Sequence, residues 1–164
     1  MEKRQFLKTA LLTPILFGFT KPAFAIALAD QQEKPPALAP DLVRDFVIAG
    51  HGNFQKVKDM LTQTPGLLNA TWDWGGGDFE TALEGAGHMG NREIAEYLLS
   101  YGARINVFAA AMLGKIDVVK STLTSFPDLK TSKGPHGLML IHHASKGGDQ
   151  AKEVLDYLKS VGAS

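Results

Sequence analysis

Four times along this chain a small or apolar residue is followed four positions later by a glycine and then by an amphipathic segment. The instances are Ile48-Ala49-Gly50-His51-Gly52, Ala86-Gly87-His88-Met89-Gly90, Ala110-Ala111-Met112-Leu113-Gly114 and Ala144-Ser145-Lys146-Gly147-Gly148, with amphipathic segments at 54–61, 92–99, 116–123 and 150–158. The unit is clearest at 81–104. Ala82, Leu83 and Ala86 give one apolar stripe at helical spacing, and Ile94, Ala95, Leu98 and Leu99 give a second. Gly90-Asn91 separates the two, Asn91 is placed to cap the second helix, and Gly102 ends it. A helix pair this small cannot bury both stripes by itself. The expectation is therefore an all-α array of about four helix-turn-helix units covering one another in a row.

The helix ends repeat as well: Tyr97-Leu98, Ser100 and Gly102-Ala103 are matched by Tyr157-Leu158, Ser160 and Gly162-Ala163. Thr81-Ala82-Leu83-Glu84-Gly85-Ala86 and Ile141-His142-His143-Ala144 are degenerate forms of the T-P-L-H-x-A signature, so the chain resembles the ankyrin repeat, whose period is about 33 residues. The turn glycines fall at intervals of 38, 24 and 34 residues. The excess lies around 72–80. The deficit lies between Arg104 and Val107, where the family places its projecting hairpin. The run GARINVFAAAMLGKIDVVK, with GPHG at 134–137, is similar to exported bacterial ankyrin proteins. The resemblance covers 41–164 and implies a solenoid whose inner helices and loop tips bind another protein. It also puts His142 at the signature histidine position, where the ring stabilises the turn by hydrogen bonds.

Residues 1–25 read as an export signal. Lys3, Arg4 and Lys8 form the charged start, 10–19 an apolar run too short to span a bilayer as a helix, and Ala23-Phe24-Ala25 a cleavage site; Ala27-Leu28-Ala29 is a second. Lys3-Arg4-Gln5-Phe6-Leu7-Lys8 resembles the twin-arginine motif with lysine in the first place, and general secretion accepts the same segment. The periplasm is the expected location, with no stable membrane insertion after cleavage. Removing 1–25 takes four of 17 basic and one of 17 acidic residues, leaving 13 and 16, a formal charge of −3 that disfavours nucleic acid. Residues 26–40 read as a linker, with Asp41 as N-cap of the first helix. There is no cysteine, hence no disulfide and no thiolate chemistry.

The least ordinary stretch is NATWDWGGGDFE at 69–80, where two tryptophans alternate with Asp73 before three glycines. Alternation predicts a short extended arm, and the glycines supply its turn. Trp72 and Trp74 either plug a gap in the core or stand out as an aromatic finger for a partner. The expected protein-binding residues are Trp72, Asp73, Trp74, Phe79 and Glu80 on the arm, and His88, Met89, Met112 and Leu113 just before the turn glycines. Apolar side chains there mark an interaction patch if exposed; otherwise they pack between units.

No metal, cofactor or catalytic residue is expected. His142 and His143 are adjacent and point to different sides of a helix, so with His136 they form no obvious ligand set. Glu84 and His88 share a helix face, as any surface pair does, and no nucleophile motif is present. The reading is a non-enzymatic, monomeric module that binds a partner protein. Two alternatives are an assembly or protection factor for one co-exported enzyme, and a small hydrolase or ligand-binding protein using Asp73, Asp78, Glu84 and His88, which requires those groups to converge.

Overall fold

A computed structural model of the protein describes residues 34–163; the expected export signal, both expected cleavage sites and the expected linker as far as residue 33 lie outside the described residues. The described residues are mostly helical. In chain order they form α1 (Pro40–Gly50), α2 (Phe54–Gln63), a hairpin of β1 (Thr71–Asp73) and β2 (Phe79–Thr81), α3 (Ala82–Met89), α4 (Arg92–Ser100), α5 (Val107–Met112), α6 (Ile116–Ser125), α7 (Leu140–Lys146) and α8 (Lys152–Ser160). Single 3-10 turns follow α2 and α6, and two more flank α7.

The helix starts follow from local chemistry. Asn53 accepts a hydrogen bond from the Lys56 amide at the start of α2, and Asn106 one from the Ala109 amide at the start of α5. Thr81 and Glu84 form a reciprocal capping box at α3. Two expected caps differ. Helix α1 starts at Pro40, whose missing N–H is no loss in a first turn, and Asp41 sits inside that turn near the positive end of the helix dipole. Asn91 occupies the N-cap position of α4, but its amide donates to the His51 carbonyl, tying α4 to the end of α1. The compact unit begins at Ala37, before the expected boundary, because Leu38 packs onto the first core cluster.

Consecutive odd-numbered helices lie against one another, α1 on α3, α3 on α5 and α5 on α7, and each packs on its own partner, α2, α4, α6 or α8. Helix α5 is enclosed from both sides. Ala109, Met112 and Leu113 join the cluster of Phe46, Leu61, Leu67, Leu83 and Leu98; Ala110 and Ala111 join that of Val119, Leu123, Leu140, Val154 and Leu158. Each fully buried leucine stabilises the fold by about 1.5–3 kcal/mol. Three consecutive alanines are what a helix needs when backbones approach it on two sides. Gly147 shows how close the approach is: a Cβ there would lie 2.1 Å from the Met112 carbonyl oxygen.

Helix α5 has six residues and no hairpin before it, so α3 also meets α7 directly. The His142 Nε2 lies 3.1 Å from the His88 carbonyl oxygen, and a Cβ on Gly90, which ends α3 at φ 80°, would stand 2.6 Å from the Lys146 carbonyl oxygen. The shortened connection thus brings the loop before α7 up to the hairpin before α3.

Candidate functional site

The hairpin is built by its polar residues. Asp73 Oδ1 accepts from the amides of Gly75 (2.9 Å) and Gly77 (3.1 Å), and the three glycines all take positive φ, which only glycine adopts freely. Strand alternation then sends neighbouring side chains opposite ways. Phe79 is 59% exposed, and Glu80, paired in register with Trp72, is fully buried. The loop before α7 is closed by a single bridge between Lys133 and Met139 and carries Pro135-His136-Gly137. His136 has φ 58°, the one non-glycine residue with positive φ among the described residues. Such a conformation persists where its surroundings hold it. Here Asp78 of the hairpin does so, with Oδ1 accepting from the His136 amide (2.9 Å) and Oδ2 lying 3.0 Å from its Nδ1.

Four side chains from three separate stretches converge behind that contact. Glu80 Oε2 accepts the Trp74 indole N–H at 2.7 Å and lies 3.4 Å from His51 Nε2 and 3.5 Å from His136 Nε2; Glu80 Oε1 lies 3.1 Å from His88 Nδ1. One nitrogen from each ring and one Glu80 oxygen all fall within 4.8 Å of one another. The rings surround the carboxylate, with centroids 4.8 Å (His51–His88), 5.2 Å (His88–His136) and 6.3 Å (His51–His136) apart. Gly85 admits the His51 ring, since a Cβ there would sit 2.9 Å from it.

Second partners fix two of the rings. His51 Nδ1 lies 3.0 Å from the Val47 carbonyl oxygen, which only accepts, so that nitrogen carries the proton. Asp78 does the same for His136 Nδ1. Burial by itself raises the Glu80 pKa; the His88 ring, the charge of His51 and the Trp74 N–H outweigh it and hold the carboxyl below the usual glutamate value. Glu80 Oε1 and His88 Nδ1 are both buried and, despite their proximity, aligned for no hydrogen bond. His143 is a different case: its Nδ1 bonds the Met139 carbonyl at 2.9 Å, outside the cluster, and burial drives its pKa down to about 4.

The expected site residues divide. Trp74, Phe79 and Met89 are exposed, Trp72 is half-buried, and Asp73 is exposed but spent on the turn. Trp74 is neither a core plug nor a free finger: it is 37% exposed with its N–H on Glu80. Glu80 and His88 are buried at the centre of the polar cluster instead of forming contact surface. Met112 and Leu113 offer no surface at all, at 0% and 4% exposure, because α5 is sandwiched between α3 and α7; only their carbonyls are used, by Arg92. The set Asp73, Asp78, Glu84 and His88 does not converge as a unit. Glu84 is bound to Thr81 and Asn106, and Asp73 to its turn.

His51 and His136 were missing from the expected site. Their signals, a histidine beside the first turn glycine and the GPHG run, acquire meaning only when the irregular connections bring them to Glu80. No protein-family model matches the chain, and no curated protein is significantly similar to it.

Proposed function

We propose that the chain is an exported ankyrin-type solenoid of four helix-turn-helix units that recognises another protein and performs no chemistry itself. The row of packing, α1 on α3, α3 on α5 and α5 on α7, supports the solenoid reading. The observation that carries the recognition reading is Phe79. It stands 59% exposed on a hairpin whose opposite face is fastened by Glu80 and Asp78, at the edge of an open groove with Phe108, Lys133 and Pro135. A rigidly mounted aromatic contributes contact area with little ordering entropy to lose, the usual property of a binding anchor. Met89, 49% exposed at the end of α3, adds an adaptable apolar contact.

The test is affinity capture from the periplasm with the wild-type chain and a Phe79→Ser/Met89→Ser variant, with circular dichroism to show that both fold. A partner held by the wild type is expected to be bound about 30-fold more weakly by the variant, the effect of losing about 2 kcal/mol at an anchor. Equal recovery by the two chains contradicts this assignment of the face.

A further inference from the structure

We propose that His51, His88, His136 and Glu80 form a binding site for one divalent transition-metal ion of the zinc class, closed by four protein ligands and fastening the hairpin of β1 and β2 to the loop before α7. Nitrogen and oxygen ligands sit about 2.0–2.2 Å from such an ion, so the edges of a tetrahedral site measure about 3.4 Å. Glu80 Oε2 stands 3.4 Å from His51 Nε2 and 3.5 Å from His136 Nε2, already that length, and His88 Nδ1 lies 3.1 Å from the other oxygen of the same carboxylate. Three imidazoles on one tetrahedral ion have centroids about 5.2 Å apart, and two of the three observed spacings, 4.8 and 5.2 Å, agree. The widest pair of donor atoms, up to 4.8 Å apart, closes by about 1.4 Å on loading. That is a small rotation for His51 or His136, whose side chains are 26% and 35% exposed.

The donor inventory points the same way. In their neutral forms His51 and His136 carry the ring proton on Nδ1, so both present an Nε2 lone pair to an ionised carboxylate, which also only accepts. Lone pairs gathered in this way repel one another unless a positive charge, a ring proton or a metal ion, lies among them. The fully buried Glu80 holds an oxygen that makes no hydrogen bond, and His88 Nδ1 faces it likewise unpartnered. Buried polar atoms in a folded protein are nearly always satisfied, and this pair, 3.1 Å apart but out of line for a hydrogen bond, would be satisfied by an ion bound between them. The surroundings are those of a metal site: a backbone carbonyl behind His51, the Asp78 carboxylate behind His136 and the Trp74 N–H on Glu80 fix each donor's orientation. With four protein ligands no position is left for a substrate, so the ion's role is structural. Imidazole and carboxylate together suit zinc, with nickel and copper as chemical competitors.

The proposal is independent of the partner reading, and either stands if the other fails. The purified full chain is stripped with chelator and titrated with Zn2+ by calorimetry, and with Co2+ by absorption spectroscopy. Expected are one ion per chain, the intense visible bands of four-coordinate Co2+, and a thermal midpoint raised by Zn2+. His136→Gln and His51→Gln each remove the one-to-one step. Both positions lie at the rim of the cluster, so these variants leave the helical core intact. Asp78→Asn weakens binding about 10- to 100-fold, as loss of a supporting carboxylate does. Absence of saturable binding, binding unchanged in both histidine variants, or a six-coordinate Co2+ spectrum overturns the proposal.

Discussion

Replacing His143 by asparagine is expected to remove a specific part of the protein's acid sensitivity. The ring is 1% exposed, with Nδ1 bonded to the Met139 carbonyl, the Phe108 ring 5.1 Å away and nothing on Nε2. Burial disfavours its charged form most strongly. The Met139 bond and the more distant Glu80 favour it, His142 and His88 oppose it, and the net pKa falls from 6.5 to about 4. A histidine whose folded pKa is depressed takes up its proton more readily when unfolded. Its contribution is therefore complete above pH 6.5, is lost as pH falls from 6.5 towards 4, and is flat below. The whole shift corresponds to about 3 kcal/mol, of which about 2 kcal/mol is gone by pH 5. Asparagine keeps an amide donor near the Met139 carbonyl and does not titrate. Urea unfolding at pH 7.5 and pH 5 reads the difference: the variant is less stable at the higher pH because of the space it leaves, but loses about 2 kcal/mol less than the wild type between the two. An equal loss in both chains refutes the claim that His143 is held neutral.

Two further substitutions test the packing around the cluster and between the helices. Glu80→Ala empties a fully buried position and leaves the Trp74 N–H without its acceptor, and urea unfolding should show a loss of about 2–4 kcal/mol; a loss under 1 kcal/mol means the cluster contributes little to folding. Gly147 has an ordinary helical φ of −72°, so Gly147→Ala meets no backbone strain, only the Met112 carbonyl oxygen at 2.1 Å and the Ala151 Cβ at 2.5 Å. It should destabilise by about 1–3 kcal/mol or more through overpacking, and a neutral result contradicts the close approach of α5 and α7.

The helix pairs were legible because each carries its own local signals, an apolar stripe and a turn glycine. The caps were not, since Asn91 is spent on the His51 carbonyl and Asp41 lies inside the first turn, while Thr81-Glu84 and Asn106 do the capping. The hairpin was equally readable from the Trp-Asp-Trp alternation and the three glycines. What the chain order hid was the third dimension. Met112 and Leu113 look exposed when α5 is treated as one unit among equals, yet a six-residue helix without its hairpin is buried from both sides. That same shortening joins His136 to Asp78 across 58 residues of sequence, and no periodicity encodes a contact of that span. His51, His88 and His136 each look unremarkable alone. The three histidines cluster because the hairpin carries Glu80 between them and Asp78 holds the loop before α7 against that hairpin.

The most direct test of this account is the proximity of those two segments in solution. Nuclear Overhauser effects in a labelled sample should link the His136 ring to the Trp74 indole and the His88 ring, whose centroids lie 5.7 and 5.2 Å from it. If those effects are absent while contacts between α5 and α7 are present, the helices pack as described but the cluster does not form.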